Sequence, residues 1–270
     1  MKKAVKIMSC LTAMVTASVA GSAQEPQPDA AAELAKKLAN PVASLISVPL
    51  QYNYDDGFGP GGNGSKSVLN VQPVIPFSMG DDWNLITRTI IPLIDQQDIP
   101  PGVDKSGVGD ITQSFFFSPK KPVSGWILAA GPVFLYPAAT DDLLGSEKWG
   151  AGPTALALKQ TGPWTAGILA NHIESFAGNE DRENVSTTFV QPFLSYITKT
   201  KTTFGLNTES TYDWNNDQWS VPVNATVAQL LKIGSQIIQL GGGIRYWAES
   251  PENGPDGIGF RVTLTFLFPK

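Results

Sequence analysis

Few residues in this chain could perform acid–base or nucleophilic chemistry. His172 is the only histidine, and it lies in Asn171-His172-Ile173-Glu174-Ser175, with a serine three positions later. A nucleophilic serine needs its base within hydrogen-bond reach, yet residues three apart on a strand point to opposite faces. One histidine and one cysteine also cannot form a multi-histidine or multi-cysteine metal site. We therefore expect no enzyme activity, no catalytic residues, no metal and no cofactor.

Several charged side chains stand alone inside apolar, alternating stretches. The chain has four arginines, and three of them, Arg88, Arg245 and Arg261, lie in such stretches. A charge within an apolar element is very costly unless water or a partner meets it. These arginines therefore require an interior that is either wet or ionically paired, and the surrounding elements must supply it.

The first residues predict export. Met1-Lys2-Lys3 and Lys6 are followed by an apolar stretch and the small residues Gly21-Ser22-Ala23. This is the pattern of a secretory signal peptide, residues 1–23, and the apolar part is too short for a membrane anchor. Cys10 lies inside this segment, so the mature chain has no cysteine and no disulfide.

Residues 24–43 form a leader that differs from the rest of the chain. Ala30 to Ala39 consists of helix-forming residues and stops at Asn40-Pro41. The segment is either helical or disordered. It could fold into a barrel as a plug or hang outside as a tether, and the looseness of most termini favours the tether.

From Ser44 onward the hydrophobic period is two. In the last such stretch Phe260, Val262, Leu264, Phe266 and Phe268 alternate with Arg261, Thr263 and Thr265, as in a strand with one apolar face. Turn residues divide residues 44–270 into twelve such strands, near 44–54, 66–77, 82–94, 109–118, 124–137, 147–159, 163–176, 185–198, 202–213, 219–231, 235–248 and 257–269. Only 16% of residues are charged, while Gly and Pro total 26 and 21. This composition argues against a helix bundle and a disordered chain and favours an all-β protein.

The connections between the predicted strands alternate between short turns and longer loops, and the longer loops hold most of the acidic residues. An even strand number, two-sided strands and this alternation are typical of a transmembrane antiparallel up-and-down β-barrel of about 12 strands. Closure of the barrel gives every backbone N–H and C=O group that is away from water a hydrogen-bond partner. Tryptophan and tyrosine near the strand ends fit the aromatic girdles of such barrels. The predicted domains are a signal peptide at 1–23, a leader at 24–43 and an outer-membrane barrel at 44–270.

A charge that faces lipid at mid-depth costs about 2–4 kcal/mol, so the strand arginines should face the lumen. The candidate lumen residues are Arg88, Arg245, Arg261, Glu209, Glu174, His172, Gln72 and Asn207, with His172 in the lumen or at its rim. They could form a selectivity ladder for a polar or anionic group. Alternatively they form an internal salt-bridge network, Arg88 or Arg245 with Glu209 or Glu174, because buried charges are usually paired.

Several longer strings resemble one known family. They are Ser106-Gly-Val-Gly-Asp-Ile-Thr-Gln-Ser-Phe-Phe-Phe-Ser-Pro-Lys-Lys121, Thr140-Asp-Asp-Leu-Leu-Gly-Ser-Glu-Lys-Trp-Gly-Ala-Gly-Pro-Thr-Ala-Leu-Ala-Leu-Lys-Gln160, Asn207-Thr-Glu-Ser-Thr-Tyr-Asp-Trp214, Arg245-Tyr-Trp-Ala-Glu-Ser-Pro251 and Thr265-Phe-Leu-Phe-Pro-Lys270. Together they resemble the bacterial outer-membrane family named for the MetA pathway of phenol degradation, whose members are often mislabelled neuromedin U. The resemblance covers about residues 44–270. It implies a β-barrel and the passage of small molecules, among them aromatic ones, and carries over no catalytic motif.

We therefore expect an outer-membrane channel or facilitator for small molecules, aromatic or anionic, in the bacterial cell outer membrane. The alternatives are a structural outer-membrane barrel with a closed lumen and an exported soluble binder of lipocalin type. The expected partners are outer-membrane lipid and lipopolysaccharide, the barrel-assembly machinery and a small-molecule solute. The last strand resembles the terminal signal that this machinery recognises. Acidic residues outnumber basic ones, 24 to 19, which argues against a nucleic-acid partner.

Overall fold

The protein is a single closed sheet of antiparallel strands with one short helix, as seen in a computed structural model that describes residues 28–268. The predicted signal peptide lies outside these residues. The elements are the helix α1 (Pro28–Leu38) and the strands β1 (Ile46–Phe58), β2 (Gly64–Val71), β3 (Val74–Met79), β4 (Trp83–Gln97), β5 (Lys105–Val108), β6 (Ile111–Pro119), β7 (Trp126–Tyr136), β8 (Lys148–Thr161), β9 (Trp164–Gly178), β10 (Ser186–Ile197), β11 (Thr202–Thr208), β12 (Ser210–Asp213), β13 (Gln218–Ile233), β14 (Gln236–Glu249) and β15 (Ile258–Phe268).

These fifteen strands make twelve strands of barrel wall, because three wall strands are interrupted. The interruptions fall at Gln72-Pro73 between β2 and β3, at Gly109-Asp110 between β5 and β6, and at Glu209 between β11 and β12. Pro73 has no N–H to donate to a ladder, which accounts for the first. Each wall strand pairs with the next along the chain, and β15 closes the barrel on β1 from Ile46↔Phe268 to Tyr54↔Phe260. The predicted 12-strand up-and-down barrel is confirmed.

The two faces of the wall differ as the period of two predicts. On β15 the inward-facing Arg261 and Leu267 are buried, 3% and 1% exposed, whereas the outward-facing Phe260 and Phe268 are 45% and 44% exposed. The exposed tryptophans lie at the strand ends: Trp83, Trp126 and Trp164 at the end with the short turns, and Trp149, Trp214 and Trp219 at the end with the long loops. An apolar exterior with aromatic rings at both ends is the surface that transmembrane β-barrels present to lipid.

Helix α1 lies inside the barrel at the short-turn end. Ala31 is buried there with Leu45, Leu230 and Leu267, and Leu34 and Leu38 pack against the same cluster. On the opposite wall Gln160 Nε2 donates to the carbonyl oxygen of Lys36 at 2.9 Å. The helix therefore contacts both sides of the lumen, which is the arrangement expected of a plug and not of a tether. Its eleven residues are too few for a membrane-spanning helix, and no helix in residues 28–268 is long and apolar enough to span one.

The chain between α1 and β1 continues the plug. Asn40 Oδ1 accepts the N–H of Val42 at 3.0 Å, which turns the chain after the helix. Val42 then inserts its side chain among Ile86, Phe116, Leu158 and other apolar inward-facing residues of β4 and β6 to β9. The lumen is thus apolar toward the short-turn end, where the leader fills it.

Candidate functional site: a charged cluster in the barrel lumen

Farther from the short-turn end the lumen holds an ionic cluster centred on Glu209. Arg261 on β15 meets the carboxylate with both terminal nitrogens, Nη1 to Oε1 at 2.9 Å and Nη2 to Oε2 at 2.7 Å. Arg245 on β14 adds a bond from Nη1 to Oε2 at 3.2 Å. The Arg261 contact is the paired fork geometry in which guanidinium binds carboxylate most strongly.

The break between β11 and β12 is what frees Glu209. Pro222 on β13 lies opposite Glu209 and has no N–H to give to it, and the pairing of β13 with β14 also shifts register between Val221 and Pro222. The N–H of Glu209 donates to the Pro222 carbonyl oxygen at 3.2 Å, but the residue belongs to neither strand. Local irregularity of this kind re-aims a side chain. Here it directs a carboxylate toward arginines two and three wall strands away.

A second set of partners fixes the two arginines. Arg245 Nε donates to Asp55 Oδ1 at 3.0 Å, and the same oxygen accepts the indole N–H of Trp247 at 2.8 Å. Arg261 Nε donates to Asn53 Oδ1 at 2.7 Å. Asn224 is fully buried and accepts from Arg245 while its amide donates to Asn207 Oδ1 at 2.8 Å. Buried charges held by this many partners are rigid, and removal of one partner is costly.

Arg88 is the exception in this cluster. It projects inward from β4, the third wall strand, whereas Glu209 lies on the ninth, on the opposite side of the barrel. Its Nη2 donates to Gln72 Oε1 at 2.8 Å. Among residues 28–268 no carboxylate lies within 4.0 Å of it, although the charge of Glu209 still acts on it. Arg88 is half-buried and has donors to spare, since a guanidinium carries five N–H groups.

The balance of charge in this part of the lumen is positive. Lys66 on β2 lies directly opposite Asp55 on β1 and therefore shares its inward face. The cluster thus contains four cationic side chains and two carboxylates, namely Arg88, Arg245, Arg261 and Lys66 against Glu209 and Asp55.

The structure places the sequence-predicted site residues on two different faces. Arg88, Arg245, Arg261, Glu209, Gln72 and Asn207 all point into the lumen and take part in the contacts above. The predicted pairing of Arg245 with Glu209 is present, whereas Arg88 pairs with an amide.

The expected lumen position of Glu174 is wrong, and of the two positions expected for His172, lumen or rim, the lumen is wrong. His172 pairs with Thr188 in the register between β9 and β10, while the neighbouring Ile173 and Asn171 occupy the inward positions. The His172 ring bonds the Thr188 hydroxyl at 2.9 Å, and its Nε2 lies 3.5 Å from Glu174 Oε2. The side chain of Glu174 is 59% exposed. Both residues lie on the outer face of the wall near the long-loop end of β9, the end at which Trp149 and Trp214 are exposed.

The His172–Ser175 pair is also separated in space. Ser175 accepts the N–H of Val185 at 3.0 Å on the other face of β9, so the two residues cannot form a nucleophile and its base. Among residues 28–268 no group of three or more His, Cys, Asp or Glu could hold a metal ion.

Sequence reasoning missed Asp55, Asn53, Asn224, Trp247 and Lys66. All five occupy inward positions by the same alternation that identified Arg261. Asp55 and Lys66 were missed because they lie near the ends of their strands, next to a long loop that is itself polar. The usable indication was parity: each is an even number of positions from an inward-facing residue of its own strand.

An ion pair and several hydrogen bonds hold the loops in place at the long-loop end of the barrel. Lys105 Nζ lies 2.5 Å from Asp141 Oδ2 in the loop after β7, and this hydrogen bond lowers the pKa of the Asp141 carboxyl. Asp110 accepts the Ser146 N–H and hydroxyl, each at 2.6 Å. Beside this loop is a polar cavity of about 450 Å³, lined by residues that include Asp181, Arg182 and Asp213.

Comparison with known proteins supports the fold. No protein-family model and no curated protein matches the chain. Among solved structures, the COG4313 outer membrane channel from Pseudomonas putida F1 is similar with a TM-score of 0.62 and 16% identity, over 83% of this chain and 96% of that chain. The β domain of the Bordetella autotransporter BrkA gives a TM-score of 0.43 and 11% identity, over 83% of this chain and 100% of that one, a score too low to add to the assignment. The chain is an all-β protein with the closed 12-strand barrel fold of outer-membrane proteins.

Proposed function

We propose that this protein is an outer-membrane channel or facilitator for small molecules, of aromatic or anionic character. The observation that carries the proposal is the contrast between the two faces of the wall. The exterior is apolar between two aromatic rings, while the lumen holds a ladder of guanidinium, amide and hydroxyl groups. Polar groups inside a barrel that faces lipid are typical of a wall that meets water or solutes.

Under this proposal the solute passes beside the ionic cluster, on the opposite side of the lumen. Arg261, Arg245 and Asn224 are buried, so the cluster fills the side of the lumen formed by β12 to β15 and β1. On the other side the inward-facing Asn171 of β9 and Gln191 of β10 are half-buried. A solute that enters from the long-loop end would travel along this second side and pass the exposed flank of Arg88.

A structural barrel with a permanently closed lumen is the second candidate, and the leader favours it. Helix α1 and Val42 fill the apolar end of the lumen. Under the channel proposal this segment is a plug that leaves the lumen during transport. Under the alternative it is a fixed part of the core.

We also propose that the protein belongs to the MetA phenol-degradation family, which its sequence resembles. It would be exported through the signal peptide and inserted into the outer membrane by the barrel-assembly machinery. The acidic long loops would face outward, where divalent cations bridge them to lipopolysaccharide. The short turns and α1 would then face the periplasm.

The two candidates differ in solute flux. Mature protein is reconstituted into liposomes, and swelling rates are measured for uncharged sugars, benzoate and benzyl alcohol, with single-channel conductance in planar bilayers. A channel passes solutes at a rate that rises severalfold when residues 26–40 are deleted. If neither wild type nor deletion variant passes any solute, while heat-modifiable gel mobility shows folded barrels, the structural alternative is correct.

A further inference from the structure

The contacts of Glu209 resemble those of a bound ligand more than those of a wall residue. Glu209 lies in the break of the ninth wall strand, between β11 and β12. Its carboxylate binds guanidinium groups on the eleventh and twelfth wall strands. The receiving site is prebuilt, because Asn53 fixes Arg261 and Asp55 fixes Arg245. Both arginines are at least nine-tenths buried. Their pairing thus defines a site that selects a carboxylate by shape and charge.

The site has more positive charge than its internal carboxylates neutralise. The four cationic side chains named above outnumber the two carboxylates of the cluster, Glu209 and Asp55, by two. Inside a barrel the dielectric is lower than in water, so this excess acts strongly on any anion that enters. An anionic solute is therefore favoured at this level of the lumen.

Arg88 gives that anion a point of entry. It is half-buried, makes its single side-chain bond to an amide oxygen, and faces Glu209 from the opposite wall. In the proposed site an anion would bind first at Arg88 and then cross the lumen toward the guanidinium groups that hold Glu209. Trp247, which stacks on Arg245 with its ring centroid 4.8 Å from the guanidinium carbon, offers an apolar surface beside them.

We propose that Arg88, Arg245 and Arg261 form a binding site for the carboxylate of a small organic anion, and that Glu209 is its internal ligand. The solute's carboxylate binds first at Arg88 and then replaces Glu209 on Arg261. This inference rests on the proposed function, since the solute reaches the site through the lumen, and it specifies the substrate class as small monocarboxylates.

The test is a binding measurement that does not depend on transport. Purified mature protein in detergent is heated in sodium benzoate or in benzamide, with ionic strength held constant by NaCl, and unfolding is followed by gel mobility. Benzamide has the same ring without the charge. We expect benzoate, and not benzamide, to raise the unfolding temperature of wild type in a saturable manner.

Two variants and two matched controls locate the site. Glu209→Gln removes the competing charge and should lower the half-saturating benzoate concentration about tenfold, while Arg88→Gln should raise it about tenfold, the size expected for one charge-assisted hydrogen bond. Glu174→Gln and Lys159→Gln make the same charge changes on the outer wall and should leave benzoate binding unchanged. If Glu209→Gln fails to fold, Arg88→Gln and the benzoate–benzamide comparison decide.

Equal effects of benzoate and benzamide on wild type, or unchanged benzoate binding in Arg88→Gln, would overturn this inference. The proposed function fails in a different way. A barrel that binds benzoate through Arg88 but passes no solute contradicts the channel alone, and one that passes solutes without benzoate binding contradicts the site alone.

Discussion

Replacing Arg261 by Met should reveal how strongly the lumen cluster holds the barrel together. The substitution keeps the length of the apolar stem and removes three hydrogen bonds, two to Glu209 and one to Asn53. Glu209, whose side chain is 19% exposed, would keep only the longer contact to Arg245. Loss of one partner from a buried ion pair costs about 3–5 kcal/mol, so we expect the free energy of unfolding to fall by about that amount.

A double-mutant cycle separates the pair from the rest of the cluster. Glu209→Leu alone leaves Arg261 without a carboxylate and should cost a similar amount. The double variant Arg261→Met/Glu209→Leu removes both charges together and should cost less than the sum of the singles by about 2 kcal/mol or more. The assay is urea unfolding of the barrel in lipid vesicles, followed by tryptophan fluorescence. Lys159→Met, on the outer wall, serves as the control for charge removal.

The reasoning would be refuted by single costs that add within about 0.5 kcal/mol, the margin for independent sites. Additivity would mean that Arg261 and Glu209 stabilise the wall separately. A double variant as stable as wild type would instead show that the ion pair adds no net stability, since an apolar replacement of a buried ion pair is often neutral. The pair would then be retained for function.

Three further predictions concern other parts of the molecule. Phe268→Asp should reduce membrane assembly far more than deletion of Lys270, because Phe268 closes the barrel opposite Ile46 on the outward face; equal recovery of folded barrel in the outer-membrane fraction would contradict this. Arg88→Ala and Arg245→Ala should lower the preference for anions over cations without preventing assembly; reversal potentials in a salt gradient measure it, and unchanged values with a lower melting temperature would make the arginines purely structural. The hydrogen bond from Lys105 lowers the pKa of Asp141, so the loop contact should persist below the ordinary aspartate pKa and be lost only as pH falls through the lowered value; hydrogen exchange across residues 137–147 should rise there, and Asp141→Asn should show the fast exchange at neutral pH.

The sequence predicts the barrel well because each strand has one face toward the apolar outside and the other toward the lumen. On β15 apolar and polar residues alternate from Phe260 to Phe266, so the strand and the inward position of Arg261 follow from the period of two. On β9 the same argument fails for His172 and Glu174. The inward face of β9 carries Leu169, which belongs to the apolar cluster around Val42, and farther along the strand the buried Ile173. Where the lumen is partly apolar, polarity no longer distinguishes the two faces of a strand.

The position of the leader was a second point that the sequence left open. Helix-forming residues and the stop at Asn40-Pro41 predict a helix, and α1 ends at Leu38. Ala31, Leu34, Ala35 and Leu38 recur at spacings of three and four, an apolar stripe that has to be covered by something. Which surface covers it depends on the lumen-facing Leu230 and Leu267, which come from strands roughly 200 residues away in the chain. Local pattern identifies the stripe, and only the closed barrel identifies its partner.

If the protein conducts solutes as proposed, the two obstructions in the lumen should control different properties of that conduction. Helix α1 covers the short-turn end through apolar contacts and touches none of the charged residues of the cluster in the contacts described. The cluster lies farther along the lumen and depends on charge.

Deletion of residues 26–40 should therefore raise conductance severalfold and leave the anion preference as it is in wild type. Arg88→Ala in the deletion variant should then reduce that preference while conductance stays high. Reversal potential and conductance recorded on the same single channels test both effects. A deletion variant that gains conductance and loses its anion preference would show that the leader, through Lys36 and Lys37, sets the selectivity and that the cluster does not.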